Sequence, residues 1–137
     1  MLERSKMSLY SKKLLQHFLN PKNIGKIKNP DAVGKATNPI CGDEMKVYLK
    51  IGKNRKGEEF IKDIKVETYG CAAAIATSSM ATELIKGKTL KEAQKLTGKA
   101  IEKALGGLPP AKVHCSLLAD VAIKKAIEKY LKKKKGS

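Results

Sequence analysis

The chain has 137 residues, a length that suits one domain built around a single hydrophobic core. Its 42% of hydrophobic and 31% of charged residues are typical of a soluble globular protein, and because no apolar run approaches the roughly 20 residues of a membrane span, an integral membrane protein is excluded. The net charge of +16 comes almost wholly from lysine, but the lack of Trp and of aromatic residues clustered in a basic stretch argues against a dedicated nucleic-acid-binding module.

The first predicted element is a short helix over residues 8–18, where apolar residues recur at helical spacing. His17 on this helix gives no functional signal, and we expect it at the surface or its boundary. An irregular connection rich in Pro, Gly and Asn follows over 19–40, with a short strand near 32–36. Apolar and polar residues then alternate on both sides of a polar turn, which predicts two antiparallel strands. These two strands cover 45–51 and 64–69.

Helices fill the second half of the chain. The pattern predicts one helix over 71–86, and Thr89 with Glu92 forms a capping box at the start of the next. A further short helix covers 99–105. The last helix gives the clearest pattern, because its apolar residues follow an i, i+3, i+4, i+7 stripe from about 114 to 131.

The order of these elements predicts the fold class. Strands gathered early and helices gathered late indicate an α+β fold, in which helices pack on one face of a small antiparallel sheet of about three strands. The long amphipathic C-terminal helix is part of that layer. The chain shows no internal repeat, so we expect a single domain over 1–137 that ends in a frayed basic tail at 132–137.

The three cysteines have to be interpreted from their surroundings. The first ten residues lack the apolar stretch and cleavage site of a secretory signal, so we expect a cytoplasmic protein with reduced thiols. An odd number of widely spaced cysteines fits neither a disulfide framework nor a Cys-x-x-Cys motif. A single free cysteine is as often a small buried hydrophobe as a ligand, so its position in the fold must decide.

All three cysteines fall at the ends of predicted elements. Cys41 comes just before the first clear strand, and if the backbone is already extended there, Cys41 and Asp43 share the face of Met45. Cys71 opens one helix and Cys115 opens the last one. Because the helix dipole stabilises a thiolate at a helix N-terminus, we expect lowered pKa values for these two thiols.

This arrangement predicts a metal site. Three thiolates with Asp43 or His114 as a fourth ligand could hold tetrahedral Zn²⁺ or an iron–sulfur cluster, and the spacing does not separate the two. Stable clusters commonly have four Cys ligands, so a site with three Cys and a harder ligand is less firmly closed. Weak closure suits a cluster that must leave.

Several motifs in sequence order resemble the IscU group of iron–sulfur scaffold proteins, also found as the N-terminal domain of NifU. The resemblance covers about residues 10–130. It includes Asn20-Pro21-Lys22-Asn23-Ile24-Gly25, Cys41-Gly42-Asp43, Thr68-Tyr69-Gly70-Cys71, Ile75 to Ser79, and Leu108 to Ser116.

The resemblance implies a function and its partners. Cys41, Cys71 and Cys115 would bind a 2Fe-2S cluster, Asp43 would tune its release and His114 could join the coordination. Zn²⁺ could occupy the cluster-free form. A cysteine desulfurase would supply sulfur, apo-proteins would accept the cluster, and neither a membrane nor a specific nucleic acid would be a partner.

The resemblance also implies that a specialised Hsp70-type chaperone, with its co-chaperone, recognises one short segment. Its residues are Leu108, Pro109, Pro110, Ala111 and Lys112. An exposed Pro-Pro pair is a plausible extended handle, because its conformation is largely fixed beforehand. Equally, the segment could be a rigid spacer that aims His114 and Cys115. Ala111 stands where the family usually has Val.

Three other functions fit parts of the sequence. A zinc-bound sulfur acceptor for a cysteine desulfurase would use the same cysteines and Asp43. A thiol enzyme would use Cys115 as nucleophile and His114 as base, but adjacent residues point in different directions, so we do not expect a direct contact between them. A basic nucleic-acid module would bind with a steep dependence on salt, whether or not the cysteines are intact.

Overall fold

A computed structural model describes residues 11–39 and 42–136 of the chain. Residues 8–10 of the first predicted helix and the predicted ligand Cys41 lie outside the described residues. The helices and strands are, in chain order, α1 (Lys12–Leu19), β1 (Ala32–Thr37), β2 (Glu44–Lys53), β3 (Glu59–Tyr69), α2 (Ala72–Ile85), α3 (Leu90–Gln94), α4 (Gly98–Ala104) and α5 (Val113–Gly136). One 3-10 turn, Pro110–Lys112, precedes α5.

The three strands form one antiparallel sheet in the order β1-β2-β3. Gly34 of β1 and Val66 of β3 flank Val47 of β2 in the register. This arrangement confirms the predicted strands, including the short one near 32–36. Along β2 the side chains of Met45 and Leu49 are buried with Val47, as the alternating pattern predicts.

The connection after α1 contributes a contact that the sequence pattern did not indicate. Ile24 forms an isolated parallel bridge with Val66 of β3. Gly25 N donates to Val66 O at 2.9 Å, and Val66 N donates to Asn23 O at 2.9 Å. This short pairing satisfies backbone groups at the edge of β3 that would otherwise be open to pairing with another chain.

The helices cover one face of the sheet, and α5 lies closest to it. A Cβ atom added at Gly34 would lie 2.4 Å from the Ala122 carbonyl oxygen and 2.5 Å from the Ala126 nitrogen. Only a residue without a side chain allows the backbones of β1 and α5 to approach in this way. Ala119, Ile123 and their neighbours on the same stripe are buried in the core, which confirms the predicted amphipathic helix.

The predicted capping box at the start of α3 is confirmed. Glu92 N donates to Thr89 Oγ1 at 3.2 Å and Thr89 N donates to Glu92 Oε1 at 3.0 Å, so the capping box is complete. Gly106 after α4 has a φ of +81°, in the left-handed region where glycine is favoured.

Two predictions about side chains and helix length are wrong. His17 is 7% exposed and its Nδ1 is 2.7 Å from Ser79 Oγ, so it is a buried residue between α1 and α2. The last helix does not end at Leu131 but continues to Gly136. Tyr130 and Lys134 both donate to Glu59 at the start of β3, and these contacts support the last turns of α5.

Among residues 11–39 and 42–136, no helix is both long enough and apolar enough to cross a bilayer.

Candidate metal centre

The loop between β1 and β2 places Asp43 at one end of the sheet. Gly42 has a φ of +75°, and its N–H donates to Asn38 O at 2.8 Å. Asn38 N in turn donates to Asp43 O at 2.8 Å, so the loop closes tightly and leaves Asp43 only 8% exposed. The premise that the extended conformation begins before Asp43 is wrong, because the left-handed Gly42 interrupts it and β2 begins at Glu44.

Cys71 lies at the junction of β3 and α2. It is the N-cap of α2 with an extended backbone, and its side chain makes no capping hydrogen bond. The side chain is half-buried and packs against a small cluster that contains Ala73, Ala74 and Cys115. The predicted position of Cys71 at the start of a helix is therefore confirmed, and small neighbours surround it.

Cys115 and His114 lie in the first turn of α5, directly after the 3-10 turn. Cys115 is fully buried, whereas His114 is half-buried. Thr77 of α2 is also fully buried, and its Oγ1 lies 3.0 Å from Ala74 O and 3.4 Å from Cys115 O. Through this hydroxyl, α2 holds the start of α5 next to Cys71. Thr77 lies in one of the motifs of the family resemblance, but no role was predicted for it, because a buried Thr inside a helix has no distinctive spacing.

The fold brings these donors together. One ligand atom each of Asp43, His114 and Cys115 lies within 4.8 Å of the others, and this trio is the candidate metal centre among the described residues. His114 Nε2 is 3.7 Å from Asp43 Oδ2 and 3.6 Å from Cys115 Sγ. Cys71 packs against Cys115 from the start of α2. Four of the five predicted site residues therefore converge, and the fifth, Cys41, lies outside the described residues.

The expected lowering of the Cys115 pKa is wrong. Burial raises the pKa of Cys115 to about 12, and the neighbouring Cys71 and Asp43 add to the rise. The dipole at the helix N-terminus stabilises a thiolate. Loss of hydration and repulsion by neighbouring acidic groups destabilise it by more than the dipole stabilises it. Without a cation, Cys115 is therefore a neutral thiol at neutral pH, and a bound metal has to displace its proton.

The expectation that adjacent His114 and Cys115 cannot touch is also wrong, since Sγ and Nε2 lie 3.6 Å apart. The pair is still a poor nucleophile and base, since Cys115 is fully buried and its pKa is raised. Its chemistry is better suited to a ligand pair than to attack on a substrate.

The segment before α5 also differs from its predicted extended form. Pro109 is extended, but Pro110–Lys112 form a 3-10 turn in which Lys112 N donates to Pro109 O at 2.8 Å. Leu108 packs against the Cys71–Cys115 cluster. These contacts favour the spacer interpretation, because Leu108 fixes the segment beside Cys115, one of the two residues that a spacer would position.

The donor set is suited to a soft or borderline cation. Thiolates bind Zn²⁺ and iron–sulfur clusters, imidazole binds zinc and iron, and a carboxylate supplies a harder oxygen ligand. The half-exposed His114 and Cys71 form the open side of the centre, whereas Asp43 and Cys115 form its buried side. The centre can therefore hold a cation and still be reached from outside.

Fold and site together define a small α+β domain with a cluster of potential metal ligands at one end of its sheet. Residues 9–137 match the family model described as the NifU-like N terminal domain, and the chain belongs to this family. The family resemblance seen in its motifs is therefore confirmed.

Individual relatives agree with this assignment. The iron–sulfur cluster assembly scaffold protein IscU 1 of Archaeoglobus fulgidus is 55% identical over 125 residues, which cover 91% of this chain and 78% of the relative. The scaffold protein IscU of Azotobacter vinelandii is 47% identical over 130 residues, or 93% of this chain and 97% of the relative. Among solved structures, a candidate SUF-system scaffold of Fervidobacterium islandicum superposes with a TM-score of 0.71 at 28% identity, covering 88% of this chain and 98% of the other.

Proposed function

We propose that this protein is a scaffold on which a 2Fe-2S cluster is assembled from iron and desulfurase-derived sulfur and from which the cluster passes to apo-proteins. The observation that carries the proposal is the meeting of Asp43, His114 and Cys115 within 4.8 Å, with Cys71 packed beside them. Relatives that are themselves named iron–sulfur cluster assembly scaffolds support it.

Each ligand has a chemical role in this proposal. Cys41, Cys71 and Cys115 supply the thiolates that hold the cluster, which is the cargo of the protein. Asp43 supplies a harder oxygen ligand whose bond to iron is the most easily displaced by a thiol of an acceptor. His114 touches both Asp43 and Cys115, so it can complete the shell when either ligand leaves.

The same centre would serve its partners. A cysteine desulfurase would deliver sulfur and acceptor apo-proteins would collect the cluster at the open side, next to Cys71 and His114. Zn²⁺ would fit the cluster-free centre, because two thiols, an imidazole and a carboxylate suit a tetrahedral ion. Recognition of residues 108–112 by an Hsp70-type chaperone stays a prediction, as does the cytoplasmic location.

The zinc-bound sulfur acceptor is not favoured as an alternative. The relatives from Archaeoglobus fulgidus and Azotobacter vinelandii are both named cluster assembly scaffolds, and their likeness covers more than nine tenths of this chain. Formation of a cluster separates the two functions, since a sulfur acceptor needs zinc and forms no iron chromophore.

The test is anaerobic reconstitution with iron and sulfide, followed by visible absorption and Mössbauer spectroscopy. Wild type should form a brown protein with the spectrum of a 2Fe-2S cluster. Cys41→Ser, Cys71→Ser and Cys115→Ser should each form no stable cluster, because too few soft ligands remain. Ala119→Ser is the matched control: it places a hydroxyl at another buried position one turn along α5 and removes no thiol. A colourless wild type would refute the proposal, and a wild-type yield in one Cys variant would remove that cysteine from the site.

A further inference from the structure

Gly70 lies between the end of β3 and Cys71, and its backbone does not explain why it is glycine. The φ angle of Gly70 is not positive, so an alanine could adopt the same φ. Gly42 shows the contrasting case: its φ is +75°, and a Cβ there would meet nothing within 4 Å. Glycine is needed at position 42 for conformation, so position 70 must need it for another reason.

The space around Gly70 provides that reason. A Cβ atom at this position would lie 2.9 Å from both Cγ and Oδ1 of Asp43 and 3.0 Å from the Cβ of Ala74. Cβ atoms essentially never approach a carboxylate this closely. The carboxylate group of Asp43 therefore occupies the space that a side chain at position 70 would fill.

The surroundings of Asp43 restrict movement of its carboxylate. Only 8% of the residue is exposed, and its other carboxylate oxygen, Oδ2, lies 3.7 Å from His114 Nε2. The main chain of Asp43 is held by the hydrogen bond from Asn38 N. Gly70 on one side and His114 on the other therefore define the position of this carboxylate.

We propose that Gly70 is a positioning residue for Asp43: its missing side chain sets where the carboxylate stands in the metal centre. A methyl group at this position would push the carboxylate out of that place without removing any ligand. The inference rests on the proposed function in one respect, that Asp43 faces the bound metal. The contact between Gly70 and Asp43 does not depend on it.

The first test needs no metal. Melting temperatures of the metal-free wild type, Gly70→Ala, Asp43→Ala and the double variant form a double-mutant cycle. Gly70→Ala should lower the melting temperature clearly in the wild-type background and much less when Asp43 is already Ala. An equal loss in both backgrounds would overturn the proposed contact. Failure of cluster assembly would not affect this result, so the two proposals can fail separately.

The second test uses Co²⁺, whose visible spectrum reports the number and type of its ligands. Gly70→Ala should change the Co²⁺ spectrum as Asp43→Ala does and weaken Zn²⁺ binding about 10-fold or more, as for other residues that orient a ligand. The double variant should match Asp43→Ala. A purely structural role would lower the melting temperature and leave the spectrum unchanged, and that result would overturn the positioning role.

Ala74 supplies the matched control, because it is the second neighbour that a methyl group at position 70 would meet. In Ala74→Gly this neighbour is gone while Asp43 remains. Gly70→Ala combined with Ala74→Gly should therefore still show the altered Co²⁺ spectrum. Return of the wild-type spectrum in that variant would show that Ala74, and not Asp43, transmits the effect, and would overturn the proposal.

Discussion

The chemistry of Cys115 depends on its surroundings more than on its place at a helix start. Burial and the closeness of Cys71 and Asp43 raise the pKa of its thiol to about 12, and this effect outweighs the helix dipole. Gly, Pro and the apolar stripe are local patterns, and they predict that Cys71 and Cys115 begin helices. The raised pKa could not be predicted from them because only the fold supplies it, and the contact between His114 and Cys115 could not because residue spacing does not fix the direction of a side chain.

Asp43 is predicted to set how long a cluster stays rather than whether it forms. With Asp43→Ala the cysteines remain and His114 is next to Cys115, so assembly should proceed. Transfer should become slower, because the oxygen ligand that leaves first has been removed. Asp43→Cys should slow it further by closing the site with sulfur.

The measurement for Asp43 is the rate at which an apo-ferredoxin gains its cluster from each preloaded variant. Glu44→Ala is the control, since it removes the neighbouring carboxylate, which pairs with Lys35 rather than with the centre. Transfer from both Asp43 variants at the wild-type rate would show that Asp43 is not the release point.

His17 is predicted to make stability depend on pH. Burial lowers the pKa of His17, with Lys13 and Lys22 acting in the same direction and Glu83 opposing them. Ser79 Oγ already accepts from Lys22 N at 2.7 Å, so its own proton is left to donate to a neutral His17 Nδ1. A base with a lowered pKa in the folded state is protonated first in the unfolded chain. The His17 contribution is thus complete above about pH 6.5 and is lost progressively as the pH falls below that value.

Urea unfolding between about pH 5 and 8 measures this effect. His17→Gln should flatten the pH dependence in that range, because the titrating group is gone while one hydrogen-bonding group remains. His114→Gln is the comparison, since it removes the other histidine of the chain. An equally steep pH dependence in His17→Gln would contradict the assignment.

At the scale of elements, the periodic patterns located the strands and helices well, but not the end of α5. The tail was expected to fray because lysines follow the last apolar position, Leu131. Helix α5 nevertheless continues, since Tyr130 and Lys134 reach Glu59 on β3. This partner lies more than 70 residues earlier in the chain, so no local pattern could indicate it. The bridge between Ile24 and Val66 was missed for a similar reason.

Deletion of residues 132–137 should therefore weaken the fold without affecting cluster chemistry. The two lost ion pairs, Lys134 with Glu59 and Lys132 with Glu128, are partly exposed, so we expect the free energy of unfolding to fall by only about 1 kcal/mol. Cluster yield should stay at the wild-type level, because lysines supply no soft ligand. Urea unfolding and anaerobic reconstitution measure the two quantities. Lost assembly in a folded truncated protein would point to the tail as a docking surface for the sulfur donor.

At the scale of the whole molecule, the α+β fold with helices on one face of a three-stranded sheet follows from the order of the elements. The close packing of α5 on β1 does not follow from that order. Nothing in the sequence distinguishes Gly34 from other glycines, and only the fold places Ala122 and Ala126 against it. The meeting of distant segments at the candidate metal centre was predicted from the thiols at the ends of elements and from their ligand chemistry. The fold explains it, since the β1–β2 loop and the starts of α2 and α5 lie at one end of the sheet.

A centre built from three distant segments should couple metal binding to folding. An ion that binds only the folded state stabilises it, by about 2.7 kcal/mol when its free concentration is 100 times the dissociation constant. Zn²⁺ at neutral pH should therefore raise the melting temperature of the wild type and raise it less in Cys71→Ser. If zinc binds to the wild type and the melting curve stays unchanged, the ligand segments are not ordered by metal.

The central claim is that this protein builds a cluster in order to give it away, and cluster transfer tests that claim most directly. The measurement mixes anaerobically preloaded wild type with an excess of apo-ferredoxin and follows both proteins by circular dichroism in the visible range. We expect the ferredoxin to gain its cluster at the rate at which this protein loses its own, with no iron released into solution. A cluster that stays on this protein while the ferredoxin remains empty would contradict it, because the protein would then be a carrier of a resident cluster.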